Sequence, residues 1–133
     1  MLVINGIELE FDISDYEFME KFMKTQNKVN GLAQKVDAEK DSIKKIKLTV
    51  QMYRTVFDDL YGVETANKLV KKQTSALEWA RAFEQMVQYS MEQSKEMNEV
   101  TSRITALQVG DLRNARHSIE IQVQEPYSSS YGA

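Results

Sequence analysis

Apolar and polar residues alternate at the start of the chain and then switch to a helical rhythm. Leu2-Val3-Ile4 and Ile7-Glu8-Leu9-Glu10-Phe11 flank Asn5-Gly6. Both central positions of a type I′ turn need positive φ, which Asn and Gly tolerate best. Ile7, Leu9 and Phe11 point one way and Glu8 and Glu10 the other, which predicts a β-hairpin with one dry face. Two strands alone are marginal in water, so this ribbon must lie on helices or on another copy of itself.

Ser14-x-x-Glu17 reads as a capping box with Ser14 as N-cap, and acids in a first turn suit the positive end of the helix dipole. Phe18, Phe22, Thr25, Val29, Leu32 and Val36 then recur at four- and three-residue steps, which predicts one largely apolar helix face. Asn30-Gly31 weakens that helix, since an interior Gly costs about 1 kcal/mol relative to Ala. Asp37 to Ser42 is a polar interruption, either a short turn or a solvated stretch of continuing helix. A second helix follows on Ile43, Ile46, Val50, Tyr53, Phe57 and Leu60, a face that wants a partner along its whole length. Gly62 is placed to close it in a left-handed conformation.

A short third helix is expected from Glu64 to Lys71, with Ala66, Leu69 and Val70 apolar. Ser75-x-x-Glu78 is a second capping box opening the longest helix. Its predicted stripe is Leu77, Ala80, Phe83, Val87, Ser90, Met91, Ser94 and Met97, and it is expected to end near Leu107. Toward that end the stripe becomes Ser and Met, too polar for a deep core, so the last turns are expected to project or to meet another chain. Beyond Leu107, Ile119, Ile121 and Val123 alternate with polar residues between Gly110 and Pro126, the pattern of an edge strand. Tyr127 to Ala133 has the composition of a disordered end. The expected architecture is mainly α with some β: an N-terminal hairpin and about four helices over 1–107, then a flexible tail or edge strand over 108–133.

The chain has 133 residues, 42% hydrophobic and 28% charged, which fits one folded domain and not a disordered segment. Apolar runs are only a few residues long, so no segment reads as a membrane span. The start has no basic stretch of the kind that opens a secretory signal, and there is no cysteine. These features suit a reducing compartment, and the expected location is the cytoplasm. The net charge of −3 is ordinary, but its distribution is uneven. Residues 1–20 hold six acids and no base, whereas residues 21–47 hold eight lysines and three acids. Such separation favours head-to-tail contacts between copies or attraction of a charged partner, against the plainer reading of two solvated faces.

Catalytic chemistry finds no foothold. The sole histidine, His117, stands between Arg116 and Ser118 with no orienting partner in view. No Glu-x-x-His pair exists for a di-iron bundle. Asp58 and Asp59 are adjacent, so they point in different directions on a helix. No glycine-rich loop precedes a lysine in a phosphate-binding arrangement. The expectation is a protein that is not an enzyme and uses no cofactor or metal. Lys35, Lys40, Lys44, Lys45 and Lys47 could face phosphates, yet no arginine occurs before Arg54 and no aromatics interleave these lysines, which argues against nucleic acid. Methionines are frequent on the predicted helices, and thioether side chains fill cores or adapt to varied partners. Trp79 reads as a core residue or an interface anchor.

Three stretches carry a family resemblance: Ile4-Asn-Gly-Ile-Glu-Leu-Glu-Phe-Asp12, the helix after it, and Met52 to Val70 with its Phe57-Asp-Asp-Leu-Tyr-Gly62 and Lys68-Leu69. Together they resemble the tail assembly chaperones encoded in the tail-gene clusters of siphophages and prophages of Gram-positive bacteria, over about residues 1–105. Val56 departs from the Phe of that pattern. The resemblance implies a non-enzymatic assembly factor that coats the helical tape measure protein, helps recruit tail tube subunits and then leaves. It also implies a homo-oligomer in the host cytoplasm. The alternative is a permanent structural tail or head-completion protein of the virion. Candidate contact or core residues are Phe18, Phe22, Tyr53, Phe57, Trp79, Phe83, Met86 and Met91.

Overall fold

The alternating start of the chain folds back on itself as expected. In the computed structural model, which describes residues 1–119 and only the backbone from Gly110 onward, strands β1 (Leu2–Ile4) and β2 (Ile7–Leu9) pair antiparallel. The register sets Leu2 opposite Leu9 and Ile4 opposite Ile7. Asn5 and Gly6 have φ of 49° and 77°, the two positive values the turn requires. The dry face lies on helices: Leu2, Ile4 and Leu9 belong to the buried core. The Asn5 side-chain amide donates to the Leu69 carbonyl, fixing the turn to a distant segment.

Four helices follow: α1 (Tyr16–Ala38), α2 (Ser42–Tyr61), α3 (Val63–Ala66) and α4 (Ala76–Ile119). The chain divides into two units, Met1–Gln93 and Ser94–Ala133, with the boundary inside α4. In the first unit α1 and α2 form a packed pair. Thr25 is buried between them and its hydroxyl lies 3.5 Å from the Thr55 carbonyl. Lys28 bridges to Asp59 at 2.9 Å. The predicted α1 stripe is the inward face, with Phe18, Phe22 and Val29 packed against the core.

Local signals place the helix ends with some corrections. The N-cap of α1 is Asp15, not Ser14: its carboxylate accepts from the Phe18 N–H at 3.1 Å. Ser14 is held one residue outside, its hydroxyl and N–H both donating to Asp12 at 2.5 and 2.9 Å. The polar interruption is a true break, because Asp41 caps α2 by accepting from the Lys44 N–H at 2.9 Å. Gly31 leaves α1 unbroken. Ser75 caps α4 by accepting from the Glu78 N–H at 3.2 Å. The other half of that box is diverted: the Glu78 carboxylate accepts from Lys71 and Lys72 N–H groups at 3.0 and 3.2 Å.

The third helix has four residues, not eight. Leu69 and Val70 are buried as expected, but in turns beyond it. Side chains take the carbonyls left open beyond Ala66. Gln73 donates to the Asn67 and Val70 carbonyls at 2.9 and 3.1 Å, and Asn5 takes that of Leu69. In the other direction α4 outruns its expected end near Leu107, passing through Gly110 to Ile119. Ile119 is therefore helical, while Ile121 and Val123 of the expected strand lie outside the described residues. No helix among the described residues is long and apolar enough to cross a membrane.

The α4 stripe is also rotated from expectation. Its buried positions are Trp79, Ala82 and Met86, whereas Leu77, Val87 and Met91 are exposed. Both sets have helical spacing, so periodicity alone could not choose between them. Trp79 decides it. Its ring packs on Phe57 with centroids 5.9 Å apart, and its indole N–H donates to the Gln73 carbonyl at 2.9 Å.

Candidate functional site

The stretch Phe57-Asp-Asp-Leu-Tyr-Gly62, which carries the resemblance, is built entirely into the scaffold of the first unit. Phe57 and Leu60 are core residues. Asp58 accepts from the Arg54 Nε at 3.2 Å, and Asp59 from Lys28. The Tyr61 hydroxyl donates to the Glu10 carbonyl at 2.8 Å, tying the end of α2 to the exit of the hairpin. Burial, and then the nearby Glu10 charge, push the Tyr61 phenol well above its ordinary value. Gly62 holds φ 88° and ψ 157°, a region open essentially only to glycine, while its N–H donates to the Asp58 carbonyl at 2.9 Å.

Two polar clamps complete the frame, and neither is visible in sequence spacing. Arg54 lies 5.2 Å from the Trp79 ring centroid and donates to Gln73 at 2.5 Å and to Asn67. Gln93 accepts from the Ile13 N–H at 3.1 Å and donates to the Phe11 carbonyl at 2.6 Å. Its amide thereby satisfies the chain leaving the hairpin as a neighbouring strand would. Phe11, held there, meets Phe18, Phe22 and Tyr89 edge-on at 4.9, 5.9 and 5.8 Å between centroids.

The eight candidate residues separate into three groups. Phe57, Trp79 and Met86 are buried core. Phe18, Phe22, Tyr53 and Phe83 are half-buried against that core, with Tyr53 and Phe83 rings 5.3 Å apart. Met91 is 67% exposed. Seven of the eight thus serve the fold in whole or part, and only Met91 stands free, on the same helix face as exposed Leu77 and Val87.

Exposed apolar side chains of larger extent lie elsewhere. The α2 stripe is covered at its C-terminal end and open at its N-terminal end, where Ile43 is 67% and Ile46 50% exposed. With Lys47, Val50, Gln73 and Thr74 they line a shallow groove of about 330 Å³. In the second unit Met97, Val100, Ile104 and Leu107 follow one another at steps of three and four residues, and all four are exposed. On one helix this spacing makes a single apolar seam.

The model of a protein family described as a family of unknown function (DUF6673) matches residues 5–117. The chain belongs to this family. No curated protein and no solved structure matches it. The DUF6673 match takes in the hairpin turn, the Phe57 to Gly62 stretch, both clamps and the apolar seam of α4. Among the described residues of this DUF6673 chain, no group of three His, Cys, Asp or Glu side chains is placed to hold a metal ion. Its surface exposes apolar side chains beside charged ones. The sequence signal for the seam was there, as the spacing of Met97, Val100, Ile104 and Leu107. The nearby Ser and Thr residues obscured it.

Proposed function

We propose that this protein is a phage tail assembly chaperone that binds the tape measure protein during tail morphogenesis, in the host cytoplasm, without catalysis. One observation carries the reading: the open seam of Met97, Val100, Ile104 and Leu107 on α4. A heptad-like apolar stripe on an exposed helix takes an apolar stripe on another helix. A tape measure protein offers long helical stretches of that kind, and the hairpin and Phe57 to Gly62 resemblance supports the same assignment.

The magnitude suits a chaperone that must leave. Fully burying a large aliphatic side chain gives about 1.5–3 kcal/mol, so covering four that are already half-covered gives roughly 3–6 kcal/mol before association costs. A single contact of that size is weak. Association this weak dissociates readily, so each copy can leave the client as the tail is built.

The test is binding of purified helical segments of the tape measure protein from the same tail-gene cluster, read by fluorescence polarisation. Ile104→Ser with Leu107→Ser removes about 2 kcal/mol of burial, so affinity falls roughly thirtyfold. Binding that ignores this double substitution, or no binding to any segment, overturns the reading. Recovery of the protein in stoichiometric amounts from purified particles would instead make it a permanent virion component.

A further inference from the structure

The groove at the start of α2 belongs to the first unit, and its surroundings identify its occupant. Ile43, Ile46 and Val50 supply its apolar lining, and Lys47, Gln73 and Thr74 complete it. Lys44 stands one turn before Lys47, and Lys72 precedes Gln73; both are exposed. Among the described residues no acid lines the groove. It therefore suits an apolar segment edged with carboxylates.

The same unit carries such a segment on its own surface. Tyr16, Glu20 and Met23 recur at steps of four and three, so they share one face of α1. Tyr16 is 73% and Met23 56% exposed, although both are large and apolar in body. Glu17 and Glu20 stand at the Tyr16 end of this face, in the stretch of the chain that holds acids and no base up to residue 20, while Lys21 and Lys24 stand beside Met23. Apolar lining meets apolar knob, and the groove's lysines meet Glu17 and Glu20 at the Tyr16 end of the knob.

One copy cannot make this contact with itself. α1 and α2 pack on each other and are joined by only three residues, 39–41, so they run antiparallel and the start of α1 lies beside the end of α2. The groove is at the other end of α2, whose 20 residues span roughly 30 Å. We infer that the α2 groove receives the Tyr16–Glu20–Met23 face of a second copy, giving head-to-tail association of this chain. Because the two patches differ, the contact is heterologous and propagates into a ring or a filament instead of stopping at a two-fold dimer. This inference stands apart from client binding, since it uses neither α4 beyond Gln93 nor the client.

The experiment is sedimentation of the full chain over a wide concentration range, at about 0.1 M and about 1 M salt, where the Debye length is about 10 Å and about 3 Å. Mass is expected to rise with concentration beyond the dimer, and the association to weaken at least tenfold at high salt. Lys44→Glu with Lys47→Glu weakens it at low salt, and so does Glu17→Lys with Glu20→Lys. The chain carrying all four substitutions regains association, because the pairing is restored with signs exchanged. All four positions are exposed, and circular dichroism of each variant checks that the fold is kept. A protein that stays monomeric throughout overturns the inference. So does association that stops at a dimer, or that neither charge reversal alters, or that the fourfold variant does not regain. Retained association without tape measure binding would overturn the functional reading alone, and the reverse result would overturn this inference alone.

Discussion

Replacing Gln93 by Leu isolates the clamp that holds the hairpin exit to α4. Leu keeps most of the volume and removes both hydrogen bonds, from the Ile13 N–H at 3.1 Å and to the Phe11 carbonyl at 2.6 Å. A buried backbone group left without a partner costs about 1–3 kcal/mol, and partial burial here allows water to recover some of that, so the loss is about 2–4 kcal/mol in total. Urea unfolding followed by circular dichroism reads it as a midpoint lowered by roughly 1–2 M, taking a slope of about 2 kcal/mol/M, with the slope itself unchanged. Gln93→Glu separates the two bonds. Its carboxylate still accepts from Ile13 but faces the Phe11 carbonyl with no proton to donate, and protonation at acidic pH restores the second bond. The Glu variant should therefore close part of its gap to the parent as pH falls below the carboxyl range. If the Leu variant loses under 0.5 kcal/mol, or the Glu variant shows no recovery in acid, the clamp does not hold the hairpin exit.

Gly62→Ala forces a side chain into φ 88°, ψ 157°; it should lose about 1–3 kcal/mol, and an unchanged melting temperature would exclude strain there. Phe57→Ala should lose about 3–5 kcal/mol as a core truncation, while Met91→Ser should stay within about 0.5 kcal/mol; equal losses would show that the division into core and surface is wrong. The raised Tyr61 phenol stays protonated in the fold above pH 10, where an unfolded tyrosine ionises. Its contribution to stability is thus fully present below that value and is lost as pH rises beyond it. In the folded protein at pH 10 to 11, Tyr61→Phe should leave the ultraviolet tyrosinate signal unchanged; a drop worth one of the six tyrosines would show that Tyr61 titrates normally.

What could be read in advance follows from which interactions are local. The Asn5-Gly6 turn and the inward stripe of α1 rest on neighbours within a few residues, and each stands where the pattern put it, while the break before α2 is the turn of the two alternatives left open there. The shift of the first cap from Ser14 to Asp15 is a competition among oxygens two residues apart, because Asp12 captures Ser14. The stop of the third helix at Ala66 could not be read, since the backbone groups beyond it are taken by the distant side chains of Gln73, Glu78 and Asn5. The rotated face of α4 was equally hidden. Two apolar stripes compete along that sequence, and only the fit of Trp79 against Phe57, Arg54 and the Gln73 carbonyl selects one. For the candidate site the consequence is direct. Aromatic size pointed to Phe57 and Trp79, which the core consumes, while smaller residues such as Ile104 and Leu107 are left outside.

Hydrogen exchange along α4, with and without a helical tape measure segment, tests the central claim most directly. An apolar seam open to solvent leaves its helix little tertiary protection, and a docked client helix supplies it. Slowed exchange over residues 94–109 on adding the segment, with the amides of Trp79 to Met86 unchanged, is the predicted result. Protection confined to the Met1–Gln93 unit, with 94–109 exchanging as before, would contradict it.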